Sequence, residues 1–135
     1  MRLSLAFAGL VSAVLAAGAA HAADAQLSCK GQALIMPDAA TTPLDVRLTI
    51  QGGLEAPSTV TYAWGRPEAP VPMDLRGLLG DTLSFHGMAP ASGGDGMLVA
   101  DAQLNRNTLA LVLKVRRLGA ASPEDVSFET TCQRG

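Results

Sequence analysis

The chain is poor in the residues that usually carry catalysis. It has two histidines, His21 and His86, and two cysteines, Cys29 and Cys132. Ser-His-Asp chemistry needs an imidazole steered by a carboxylate and a nucleophile raised on a sharp turn, and no Gly-x-Ser-x-Gly element is present. Aromatic residues make up 4% of the chain, and beyond residue 22 they are Tyr62, Trp64, Phe85 and Phe128. That is too little for a platform on which bases or sugars stack. Arg116 and Arg117 form the only adjacent basic pair, so no basic track follows a phosphate backbone, and nucleic acid is excluded as a partner. A helical apolar stripe is also missing; the nearest approach, residues 75–79, is interrupted by Gly77.

One long apolar run is present, at the start. Met1 and Arg2 supply a short positive region, residues 3–17 are uncharged and rich in Ala and Leu, and Ala20, His21 and Ala22 have the small-x-small form that a signal peptidase accepts. The expectation is a signal peptide over residues 1–22, cleaved near Ala22, with a single β-domain over residues 23–135. Export to the periplasm or the exterior follows. No later segment reaches bilayer-spanning length, so no membrane span is expected. Loss of Arg2 with the leader takes the formal charge from −2 to about −3, a mild value that points to no particular partner.

The dominant period in residues 23–135 is two. Over residues 43–52, Leu44, Val46, Leu48 and Ile50 alternate with Asp45, Arg47, Thr49 and Gln51, the signature of a half-buried strand. Near the start of the domain Leu27, Cys29, Gly31, Ala33 and Ile35 share one face. Near the end Val126, Phe128, Thr130 and Cys132 do the same, so both thiols point inward. Residues 59–64 place Val60, Tyr62 and Trp64 together; residues 82–88 turn Leu83 and Phe85 in and Ser84 and His86 out. Residues 97–104 and 109–118 form a hairpin across Asn105, Arg106, Asn107 and Thr108, where either Asn can take a left-handed conformation. Residues 71–79 are a weaker strand, because Pro72 suits only an edge or a strand start.

About eight strands with short connections predict an all-β fold: an antiparallel meander closing as a barrel or a sandwich, with the N- and C-terminal strands joined by a Cys29–Cys132 disulfide. An oxidising compartment permits that bond, and closing a loop of about 100 residues stabilises the fold by up to about 4–5 kcal/mol in the chain-entropy model. An eight-stranded barrel is just wide enough for side chains to fill, so no large internal pocket is expected.

Candidate sites are sparse. Asp45, Asp74, Asp101, Glu124 and Glu129 occupy outward strand positions or turns, which gives no glycosidase pair. Asp95 in the glycine-rich run 93–96 is one carboxylate where calcium needs six to eight oxygens. His86 and Met88 lie two residues apart on one strand face, a soft pair suited to Cu(I), with Met73 or Met97 as a third ligand. The competing reading is a solvated histidine beside a gap-filling methionine. His86-Gly87-Met88 resembles the His-x-Met element of periplasmic copper chaperones, which carry further His and Met ligands at spacings this chain lacks. The overall plan is similar to that of the periplasmic inhibitors of C-type lysozyme, also small closed sheets with a bond between terminal segments. Their Ser-Gly-x-x-Tyr loop is matched here by Ser92-Gly93-Gly94-Asp95 without the Tyr, and no inhibitory residue carries over.

The reading that follows is a non-enzymatic exported domain that needs no cofactor and acts by binding, either to another envelope protein or to a small ligand at a loop rim. Recognition in such folds sits on loops. The expected surface joins residues 66–72 and 92–96 at one end of the sheet, with Trp64, Arg66, Ser92 and Asp95 as binding residues. Trp64 serves there either as an anchor or as core packing.

Overall fold

The computed structural model describes residues 23–64, 71–91, 96–119 and 123–135. The predicted signal peptide, residues 1–22, lies outside them. The strands are β1 (Ala25–Met36), β2 (Ala40–Ile50), β3 (Thr59–Ala63), β4 (Met73–Leu79), β5 (Thr82–Pro90), β6 (Met97–Asn105), β7 (Ala110–Leu118) and β8 (Glu124–Thr131), with β9 (Gln133–Arg134) resuming the last strand after Cys132. Each is antiparallel to the next, and β8 returns to pair with β1, closing an eight-stranded barrel.

Closure and the disulfide share one register. Ala33 lies opposite Phe128 and Leu27 opposite Arg134, and continuing that register sets Cys29 against Cys132. The two Cα atoms are 4.2 Å apart and the bond spans 103 residues of sequence. The ladder opens around the thiols. There the Thr130 hydroxyl donates to the Lys30 carbonyl at 2.6 Å, and a Cβ on Gly31 would press on Thr130. Glycine at residue 31 therefore lets the two terminal strands approach.

Inward positions match the alternation. Cys29, Val46, Ile50, Ala100 and Phe128 are fully enclosed, and Leu48, Val60, Tyr62, Leu83, Leu104, Leu111 and Leu113 fill the remainder of the interior. Strands β1 and β2 run longer than the patterned cores that announced them, 12 and 11 residues, and pair along their length from Ala25 with Ile50 to Ile35 with Ala40. The weak segment 71–79 is strand from Met73, with Pro72 just outside the ladder as its missing donor requires. A bulge between Leu75 and Gly77 bends this strand.

The β6–β7 turn departs from expectation. Neither Asn105 nor Asn107 takes the left-handed conformation; Leu109 does, with φ of 63°. The Asn105 side chain is occupied otherwise, its Oδ1 accepting from the backbone N–H of Asn107 and of Thr108, both at 2.9 Å. Leu109 N–H closes the turn on the Asn105 carbonyl, and the Leu109 carbonyl accepts from Cys132 N–H at 2.8 Å. Its side chain is buried in the core, and this anchorage at both backbone and side chain offsets the left-handed strain.

Arg106 holds a neighbouring turn. Its N–H donates to the Asp81 carbonyl, its Nε stands 3.7 Å from the Asp81 carboxylate, and Asn107 Nδ2 donates to the same carboxylate at 2.6 Å. Antiparallel alternation then sorts the connections. Residues 37–39 and the strand ends flanking 65–70, 92–95 and 120–122 lie at one end of the barrel. The connections through residues 51–58, 80–81 and 105–109 lie at the other. Leu54, buried in the first of these, packs against the core there.

Candidate functional site

The outward faces of β5, β6 and β7 form a continuous wall whose composition is graded. In the row nearest the 92–95 connection, Pro90 pairs with Met97 and Met97 with Leu118. In the next, Met88 pairs with Val99 and Val99 with Arg116. In the third, His86 pairs with Asp101 and Asp101 with Lys114, while Asp74 stands opposite His86 on β4. The wall is therefore apolar at one end of the barrel and charged toward the middle.

Among the large apolar side chains left in solvent are Met88 at 57%, Met97 at 37% and Leu118 at 45% exposure. Val99 also faces outward, yet it is buried, because Met88 and Arg116 flank it in register and Met97 and Asp101 flank it along β6. It forms the floor of the patch. Leu34 and Met36 on β1 are exposed in the same half of the barrel, whereas Leu78 and Leu79 are exposed beside the bulged end of β4 at the opposite end.

In the charged row, His86 Nδ1 lies 2.6 Å from Asp101 Oδ1. A carboxylate oxygen accepts, so the imidazole Nδ1–H is the donor of this bond. Arg76, His86 and Asp101 line a shallow hollow on the outer surface. Met88 shares the outward face of β5 with His86, as the sequence indicated. Met73 is fully buried in the core, which removes it as a third ligand for a surface imidazole. Met97 stands outward on β6, opposite Pro90. Among the described residues no group of three or more His, Cys, Asp or Glu side chains converges as a metal cluster.

Trp64 is buried and stands edge-on to Tyr62, their ring centroids 5.2 Å apart, so its ring packs in the barrel just beyond β3. Arg66, Ser92 and Asp95 lie outside the described residues. The strand ends that flank them share an end of the barrel, as the sequence implied. The sequence places Asp101 among the acids at outward strand positions or turns and does not pair it with His86. Counting equal numbers of residues outward from the middle of the 92–95 connection sets these two opposite each other, and that count was the available signal.

Fold and surface together define a class: a small antiparallel β-barrel sealed between its first and last strands by a disulfide, with a filled interior and a patterned outer wall. No family model, no curated protein and no solved structure matches the chain. Among the described residues no helix is long and apolar enough to cross a membrane. The disulfide is compatible with an oxidising extracellular or periplasmic location.

Proposed function

We propose that the protein is an exported, non-enzymatic accessory domain of the cell envelope that binds another envelope protein through its outer wall. Composition of residues 1–22 supports a cleaved leader, and the disulfide fits the compartment that leader serves. The observation that carries the binding reading is the contiguous exposure of Met88, Met97 and Leu118 over the floor residue Val99. Large apolar side chains left together in solvent, rather than singly scattered, mark an interaction site.

The test begins with expression of residues 1–135 in a Gram-negative host. The expected product is released by osmotic shock, begins at Ala23 and is lighter by the two hydrogens of the closed disulfide. Immobilised product should then retain an envelope protein that a Met97→Glu variant of the same fold does not. Retention of the leader in a cytosolic product overturns export, and equal retention by the variant overturns the wall as the binding surface.

One observation favours a second reading. Asp101 holds the His86 ring by its Nδ1, as outer carboxylates do for metal-bound imidazoles, and Met88 lies two residues along the same outward face of β5. Such an imidazole and thioether suit a soft monovalent ion. Titration of the oxidised protein with Cu(I) checks it: micromolar or tighter uptake that disappears in His86→Ala supports the reading, and absence of uptake ends it.

A further inference from the structure

We infer that the tip of β4, residues 76–79, is the edge on which a second copy of this chain pairs, strand to strand, to make a two-fold dimer. The starting point is the uneven partnership of β4. Toward β5 the strand is paired from Asp74 to Leu79, around one bulge. Toward β3 it is paired only at Met73 and Asp74, after which the Leu75 N–H donates to the Ser58 carbonyl at 3.0 Å. β3 begins at Thr59, opposite Asp74, so among the described residues no strand lies alongside residues 76–79 on that side. The barrel wall carries a short open edge there.

Main-chain geometry says what such an edge takes. Gly80, with φ of 60°, and Asp81 form a two-residue turn that closes on Leu79 and Thr82. Such a turn closes on a hydrogen-bonded pair, and the alternation of an antiparallel ladder then directs the N–H and C=O of Leu78 away from β5, toward the open side. An extended strand satisfies both groups at once, whereas a helix face satisfies neither. The usual guards of an edge are thin here. The bulge between Leu75 and Gly77 stops short of the tip, residues 77–79 keep regular register with β5, and Arg76 is the one charge between Leu75 and Gly80.

Self-complementarity selects the occupant. A two-fold axis normal to the sheet and passing beside Leu78 sets this residue against its own counterpart, and the two outward-directed main-chain pairs then exchange both bonds. The same register sets Leu79 of each copy against Gly77 of the other, on one face. Gly77 has nothing within 4 Å of its missing Cβ, and Leu79, at 86% exposure, protrudes farthest of the large apolar side chains described, so the leucine falls where there is room for it. Pairing consumes both edges, so assembly stops at two copies. So short a contact makes a weak dimer, not an obligate one. Met97 and Leu118 lie at the other end of the barrel, and their wall stays open in the dimer.

Sedimentation velocity of the oxidised protein from about 10 µM to about 1 mM, the range suited to so small an interface, should show a reversible monomer–dimer equilibrium. Over the same range, amide exchange read by NMR should show the Leu78 N–H gaining protection about tenfold or more. Leu78→Pro removes that donor without taking a bond from the β5 ladder, as edge prolines do, and should lower the dimer fraction about tenfold or more. Leu79→Lys alters only a side chain in solvent and should act likewise, which keeps the test valid if the proline disturbs the turn. Met97→Glu, on the wall at the opposite end, should dimerise like the wild type. A protein that stays monomeric throughout, a dimer that both β4 variants keep, a dimer lost in Met97→Glu, growth past two copies, or association that leaves the Leu78 amide unprotected each overturns the inference.

Discussion

Glycine positions on β4 and β5 show how differently one missing methyl group acts at neighbouring sites. A Cβ on Gly87 would overlap the carbonyl oxygen of Pro72, so the backbone before β4 comes to rest against β5 only because that atom is missing. Gly77, beside the β4 bulge, has open space around its missing Cβ and no left-handed φ to preserve. Gly87→Ala should therefore destabilise the domain by about 1–3 kcal/mol, the ordinary range for overpacking. Gly77→Ala should leave stability unchanged or raise it by about 0.5 kcal/mol, through the unfolded chain's lost freedom. Urea melts of the two variants check the pair; equal losses would remove the close approach at Pro72 as the explanation. At the same scale, Trp64 packed against Tyr62 predicts blue emission shielded from iodide in the folded domain, shifting red on unfolding. Red emission from the native protein would place the ring in solvent.

Between elements, the connections decide what period-two patterning leaves open. Alternation assigns the inward faces of β2, β3, β5, β6 and β7 correctly, because each barrel strand has one wet face and one dry face, whereas Met73 on β4, offered as a surface ligand, lies in the core. It says nothing of which residues meet across strands, since that depends on register, and register is set at the turns. The His86–Asp101 contact, the hold of Arg106 and Asn107 on Asp81, and the left-handed Leu109 are all of this kind. Asn105 and Asn107 carry the ordinary left-handed preference, but the turn's own N–H groups occupy the Asn105 side chain and Asp81 that of Asn107, and Leu109 was carried into the strained region by its buried side chain and the Cys132 N–H. Within the candidate site, the outward positions of His86 and Met88 were legible, whereas the grouping of Met97, Leu118, Lys114 and Arg116 around Val99 required the three-strand register. The Asp81 contacts give an element-scale expectation. Asp81→Ala and Asn107→Ala should each cost about 1 kcal/mol, and the double variant should cost less than their sum because both remove one charge-assisted bond. Additive losses in a double-mutant cycle would mean that the two turns are stabilised independently.

For the whole molecule, the disulfide acts on a seam that is otherwise thinly bonded. β1 pairs with β8 over Ala33–Met36 and with β9 over two residues, and between those stretches the ladder yields to Thr130 and the Cys29–Cys132 bond. The hairpins β5–β6, β6–β7 and β7–β8 are each paired through eight or nine residues, so removal of the crosslink should loosen the closure first and leave that sheet intact. A loop of 103 residues carries an upper entropic stabilisation of about 4–5 kcal/mol. The Cys29→Ala, Cys132→Ala double variant should thus lose about 2–5 kcal/mol in denaturant melts while keeping a β-type circular dichroism spectrum in water. Hydrogen exchange locates the loss. Amides of β1 near Lys30 and of β8 near Thr131 should lose protection toward that of exposed turns, and amides at the centre of β6 should fall only with global stability. Uniform loss of protection through all eight strands would show the barrel opening as one cooperative unit, with the seam no weaker than the hairpins.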